Sequence, residues 1–247
     1  MKYSLVQSIL QQVKDNYNIC AEEFSKTRFY NWEEIKNLAD KYAKNGMRIL
    51  DVGCGNGRLS ELFSDKELNY FGIDNSEKLI EEAKKKLEIR ANFIIGDVLE
   101  LPFRENEFDI IFCIAVLHHI PSKALRKKAM IEMGRVLKPG GILIMTNWNL
   151  WQDKYRKYIL CNYVKLRGIE NKTSRKYGRM DFGDIMLPPF SGKGVVRYHH
   201  AFTKWGLRKM FSEADFKVRE CYYEKNGVKT GWRDGANLVC AGEKQSF

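Results

Sequence analysis

The sequence predicts an α/β fold: a doubly wound, mainly parallel sheet of seven strands, with a helical extension before it and a basic insertion after the fifth strand. Three observations carry this. Short apolar runs alternate with amphipathic helical stretches through the first 149 residues. That alternation, with short turns, builds parallel sheets. Three successive runs end in an acid: Ile49-Leu50-Asp51, Tyr70-Phe71-Gly72-Ile73-Asp74 and Phe93-Ile94-Ile95-Gly96-Asp97. The first acid leads into Gly53-Cys54-Gly55-Asn56-Gly57, where glycines let the backbone approach a ligand closely. Open parallel sheets bind ligands at the carboxyl ends of their strands, where all three acids would lie.

Residues 1–44 read as helical and partly amphipathic, an extension or lid. The first strand is 47–52, and a helix is expected from about Arg58. Strand two is 70–74. Leu79, Ile80, Ala83 and Leu87 then recur at helical spacing among charged residues, so 76–90 is an amphipathic helix. Strand three is 92–97, and Leu101-Pro102-Phe103 turns the chain toward strand four, 108–116. A helix from Ser122 to Leu137 stops at Lys138-Pro139-Gly140-Gly141, ahead of strand five at 142–148. Residues 150–202 break the rhythm. A helix near 203–214 and strands near 217–223 and 236–243 complete the pattern.

The whole chain, 1–247, therefore reads as one domain in four parts: the helical extension (1–44), a ligand-binding half (45–149), the insertion (150–202) and a closing helix with two strands (203–247). The length suffices to bury a sizeable core. The longest apolar run, Ile110 to Leu117, is far short of the roughly 20 residues that cross a bilayer. The first residues turn polar too early for a secretory signal. No membrane association and a cytoplasmic location are therefore expected. Six scattered cysteines without a Cys-x-x-Cys pair argue against a zinc site, and their even number does not imply disulfides.

The net charge of +11 is unevenly spread. Residues 151–180 hold nine basic side chains against two acidic ones, a net of +7. Trp151, Tyr155, Tyr158, Tyr163 and Tyr177 are interleaved with them. Basic residues release counterions from phosphates, and aromatic rings stack on unpaired bases. The insertion is thus a candidate RNA-docking segment, lying where substrate must enter.

The glycine turn discriminates among cofactors. A dinucleotide fingerprint requires a small residue three positions after the second glycine, and Arg58 stands there. A phosphate loop requires Gly-Lys-Ser/Thr, which is absent. The arrangement resembles the class I S-adenosylmethionine-dependent methyltransferases, whose Rossmann-like fold matches the predicted sheet. The resemblance implies that Asp51, Gly53, Cys54 and Gly55 wrap the methionine part of the cofactor. It implies that Asp74, with Asn75, binds the ribose and that Asp97, with Val98, reaches the adenine. Ile114 and Arg28 complete the implied cofactor set.

The only histidines form two pairs, His118-His119 after strand four and His199-His200 at the end of the insertion. Neither pair has the spacing of a known metal site, and no metal is assigned. Further motifs narrow the resemblance. Phe24-Ser25-Lys26-Thr27-Arg28 with Trp32, Ala115-Val116-Leu117-His118-His119, Asp184-Ile185-Met186-Leu187-Pro188 and Arg197-Tyr198-His199-His200 are similar to segments of the tRNA wobble-uridine carboxymethyl methyltransferases. The chain departs from that family at Ile120 and Pro189, each in place of a tryptophan, and at His199, in place of a tyrosine.

The resemblance implies methyl esterification of 5-carboxymethyluridine in the anticodon loop of tRNA, and a small zinc-binding activator protein as partner. A carboxylate acceptor is ionised at neutral pH and needs a cation to hold it, not a base to deprotonate it. Arg28 and Arg197 are the candidates, with Tyr198 and His200 nearby. His118 and His119 would shape the pocket, and Trp148 and Trp151 could stack on a base. Two other readings share the fold. A small-molecule methyltransferase acting on a quinone, sterol or metabolite leaves the +7 insertion idle. A non-catalytic RNA-binding module leaves Asp51, Asp74 and Asp97 idle.

Overall fold

The computed structural model describes residues 1–27, 33–85, 91–159, 180–188 and 196–246. Five parallel strands form the predicted half of the sheet. They are β1 (Arg48–Val52), β2 (Asn69–Asp74), β3 (Ala91–Ile95), β4 (Phe108–Ile114) and β5 (Leu137–Trp148). They lie in the order β3-β2-β1-β4-β5, so the order reverses between β1 and β4. β6 (Asp184–Leu187) and β7 (Arg197–His200) pair with each other in a separate antiparallel ribbon. β8 (Phe216–Lys225), β9 (Val228–Thr230) and β10 (Asn237–Lys244) finish the main sheet. β10 lies antiparallel between β5 and β8.

The sheet thus has eight strands, one more than predicted. The extra one, β9, folds back on β8 through Asn226 and Gly227, both at positive φ. Asn-Gly suits this kind of hairpin turn because both residues tolerate the left-handed region. Another departure is at Arg58, where a six-residue 3-10 helix, Arg58–Phe63, replaces the expected α-helix. The Lys138-Pro139-Gly140-Gly141 stop also sits inside β5: the preceding helix passes directly into the strand at Leu137, and the register with β4 shifts there.

Alternation along the central strands makes the core two-sided. Leu50, Val52, Ile111 and Cys113 face one layer, while Ile49, Ile110 and Phe112 face the other. The first layer packs on Met130 and Met133 of α4 (Lys123–Val136) and on Leu207 and Phe211 of α5 (Lys204–Ser212). The second packs on Ile35 and Leu38 of α2 (Glu33–Tyr42) and on Ile80 and Ala83 of α3 (Glu77–Lys84). Each Leu, Ile, Val, Met or Phe side chain among these contributes about 1.5–3 kcal/mol when fully buried. α1 (Tyr3–Thr27) seats Leu5 and Ile9 against Tyr198 of β7, so the extension and the insertion share a small core of their own. Residues 153–159 are helical, while 160–179, the heart of the basic segment, lie outside the described residues. Among the described residues no helix is long and apolar enough to cross a membrane.

Candidate active site

The chain turns hard after β1. Gly53, Gly55 and Gly57 all have positive φ, which L side chains rarely adopt. At Gly53 the space matters as well: a Cβ there would meet a Val116 methyl at 2.2 Å. The turn is pinned from β2. The N–H groups of Gly53 and Cys54 both donate to the Ile73 carbonyl, at 2.7 and 3.0 Å. Asp74 then accepts from the N–H of Gly55 at 3.0 Å and from that of Ser76 at 2.8 Å. Ser76 in turn caps α3, its hydroxyl accepting the N–H of Leu79.

Asp51 is buried and accepts the Tyr70 hydroxyl at 2.6 Å. Burial pushes its carboxyl up to about 7. Burial likewise raises Asp74, although backbone N–H groups pull the other way. Asp97 accepts the N–H of Leu99 at 2.9 Å. Asp51, Gly53, Cys54, Gly55, Asp74, Asn75, Asp97, Val98 and Ile114 all line one cavity at the carboxyl edge of the sheet, where the strand order reverses. Arg28, the remaining member of the predicted set, lies outside the described residues.

The far end of the same cavity is aromatic. His118, His119 and Trp148 line it, with Tyr17 of α1. Tyr17 meets His119 Nε2 through its hydroxyl at 2.8 Å. His199, outside the predicted set, stacks on both His118 and Trp148, each with ring centroids 5.2 Å apart. Burial holds all three of these imidazoles below their ordinary range, His119 at about 4, so they are neutral at pH 7.

The other acceptor candidates separate by strand face. Residues two apart on a strand share a face. Tyr198 and His200 both engage Asp184, at 2.6 and 2.7 Å, and Tyr198 also receives a bond from Arg126 at 3.2 Å. They brace the β6–β7 ribbon and do not line the main cavity. Arg197 shares the other face with His199. Its guanidinium donates to the Pro188 carbonyl at 2.8 Å and lies 5.9 Å from the Trp148 ring centroid. It lines a small cleft bordered also by Tyr17, His119 and Tyr198. Trp151 is held by packing around Leu150 and Ile159 and by a bond to the Phe202 carbonyl. Period-two alternation along Arg197-Tyr198-His199-His200 is the signal that pairs His199, not His200, with the His118 and Trp148 rings.

Residues 50–145 match the family described as "Methyltransferase domain". A protein of Encephalitozoon cuniculi whose name classes it as a methyltransferase is 31% identical over 205 residues, covering 82% of this chain and 85% of that one. The chain belongs to the methyltransferase family. The tRNA (carboxymethyluridine(34)-5-O)-methyltransferase of Xenopus tropicalis is 34% identical over 237 residues. This methyltransferase spans 94% of its own length in that match but only 36% of the relative's. Among solved structures, an S-adenosylmethionine-dependent methyltransferase of Methanosarcina mazei superposes with a TM-score of 0.70 at 22% identity, over 85% of this chain and 98% of that one. A Haloferax volcanii methyltransferase, solved with its Trm112 activator, does so at 0.64 and 15% identity, over 94% and 98%.

S-adenosylmethionine is the cofactor of this methyltransferase, and the cavity fits it. A carboxylate offers about four acceptor positions. Asp74 uses two of them on Gly55 and Ser76, and the Asn75 backbone also acts on it, which leaves acceptor capacity for a ribose hydroxyl. Beside it, the glycine turn presents backbone where side chains would intrude.

Proposed function

We propose that this methyltransferase converts the carboxylate of 5-carboxymethyluridine, at the wobble position of tRNA, to its methyl ester. The observation that carries the reading is the continuity of one cavity from the three strand-edge acids to the wall of His118, His119 and Trp148. Support comes from the names of the carboxymethyluridine methyltransferase relatives. The concentration of charge in residues 151–180 adds to it.

Asp74 takes the ribose hydroxyls, Asp97 and Val98 take the adenine, and the turn from Asp51 to Gly57 holds the methionine portion. The bound sulfonium supplies a methyl group already activated for in-line displacement. The acceptor carboxylate is ionised at neutral pH, so the protein's work is alignment and exclusion of water. Trp148 offers a face for the base. Arg197, whose cleft shares Tyr17 and His119 with the main cavity, steadies the carboxylate together with Arg28. Tyr198 and His200 position the ribbon that carries Arg197. The basic segment docks the anticodon stem and loop, in the cytoplasm, with a small zinc-binding activator protein as partner.

The test is transfer of labelled methyl groups into total tRNA, followed by nucleoside analysis. The expected product is a uridine methyl ester whose label leaves as methanol in mild alkali. Alkali-stable label, or label entering small molecules only, would overturn the assignment.

A further inference from the structure

One ring nitrogen from each of His118, His119 and His199 lies within 4.8 Å of those of the other two, and all three residues are buried. Nε2 of His118 and Nε2 of His199 have no hydrogen-bond partner among the described residues. A buried polar atom left unmatched is destabilising, and here two occur on stacked rings, one of them, His118, lining the main cavity.

The opposite edges of two rings are anchored. His119 Nδ1 lies 3.2 Å from the Tyr198 carbonyl, and His199 Nδ1 lies 3.3 Å from the Arg197 carbonyl. A ring N–H donating to a backbone carbonyl fixes the tautomer that leaves the Nε2 lone pair forward. Histidines that ligate metals are oriented in this way. In His119 that lone pair meets the Tyr17 hydroxyl at 2.8 Å, which a metal ion would have to displace. His118 Nδ1 accepts the Trp148 N–H at a long 3.4 Å, which places the proton of the neutral ring on Nε2, so metal binding there requires this weak bond to yield and the tautomer to change.

From this arrangement we infer that His118, His119 and His199 form a three-histidine site for a late first-row divalent cation such as zinc. Imidazole nitrogens suit such ions. Three protein ligands leave a fourth position open. Tyr17, whose hydroxyl touches His119, stands next to the site. Zinc holds nitrogens at about 2.0–2.1 Å, so binding draws the three together to roughly 3.4 Å. Among the described residues no carboxylate or thiol joins the cluster. The nearby Arg197 charge also opposes a dication, so the affinity should be modest. At the open position the ion would clamp an anionic acceptor oxygen, a role that rests on the proposed reaction; the binding itself does not.

The experiment uses untagged protein stripped with a chelator and titrated with Co2+. One equivalent should bind with a visible d–d absorption band that Zn2+ removes. His199→Phe, verified as folded by circular dichroism, should bind Co2+ at least about tenfold more weakly, since removing a ligand costs no less than removing its supporting bond. Should that variant fail to fold, X-ray absorption at the zinc edge of the wild-type protein decides. Scattering from three imidazoles is expected. Absence of stoichiometric Co2+, unchanged affinity in the variant, or scattering without imidazoles would overturn the site. Methyl transfer into tRNA that persists without any bound metal would overturn the clamp while leaving the proposed reaction intact.

Discussion

The carboxylate of Asp74, at the end of β2, accepts a hydrogen bond from the N–H of Gly55, in the turn after β1, at 3.0 Å. One side chain therefore shapes the glycine turn and presents acceptors to whatever occupies it. Asp74→Ala should lower affinity for S-adenosylmethionine at least about tenfold, since each hydrogen bond to a charged group contributes about 1.5–3 kcal/mol. Calorimetry that finds equal affinity in the variant would remove Asp74 from the cofactor site.

Asp51 should release a proton when the cofactor binds. Its carboxyl, held at about 7 by burial, is only partly ionised at pH 7. A bound cation favours the charged form and lowers that value. Binding enthalpy at pH 7 should therefore vary with the ionisation enthalpy of the buffer, and Asp51→Asn should abolish the dependence.

Stability gives the same residue a second readout. Its folded value is raised, so the folded chain keeps a proton the unfolded chain has shed. Asp51 therefore makes the fold less stable as pH rises from about 4 to 7, by up to roughly 4 kcal/mol. Denaturant midpoints of Asp51→Asn should lack that decline.

The basic segment should read tRNA through its phosphates. Replacing Lys172, Arg175, Lys176 and Arg179 with serine should weaken tRNA binding and flatten its salt dependence. The slope of log affinity against log salt should fall by about 0.7–0.9 for every phosphate no longer neutralised. Cofactor binding should be untouched. An unaltered tRNA titration would turn attention to small-molecule acceptors.

Single-turnover methyl transfer should be nearly flat from about pH 6 to 8, because a carboxylate acceptor titrates far below that range. The imidazoles lining the cavity are also held neutral across it. Arg197→Lys should slow transfer, since lysine keeps the charge but cannot grip a carboxylate with two parallel N–H groups. A steep acidic limb together with full activity in Arg197→Lys would exclude the carboxylate mechanism.

The strand-edge part of the cavity was legible because each of its acids is a local consequence of a strand ending. Asp51, Asp74 and Asp97 close apolar runs, and such endings converge on one edge of a parallel sheet. The acceptor end was less legible because it is assembled from distant pieces. Tyr17, His119, Trp148 and His199 come from a helix, a 3-10 turn and two strands that belong to different sheets. Strand alternation separates Arg197 and His199 from Tyr198 and His200, but a four-residue strand within a long insertion gives little periodicity to read. The three-residue β9 is too short for the same reason, although Asn226-Gly227 marks its turn.

The position of β10 has a consequence for synthesis. β5 meets its second neighbour only when residues 237–244 are available, because Trp148 pairs with Asn237 and Ile142 with Glu243. At about 5–20 residues per second, a ribosome needs several seconds to pass from one strand to the other. Through that interval Leu143, Ile144 and Met145 stand on an open, hydrogen-bond-hungry margin of a half-built sheet, the kind of edge that recruits foreign strands. The nascent chain is thus most exposed to aggregation after its cofactor pocket has been translated and before β10 has emerged, a window in which early cofactor capture or chaperone cover would matter most for yield.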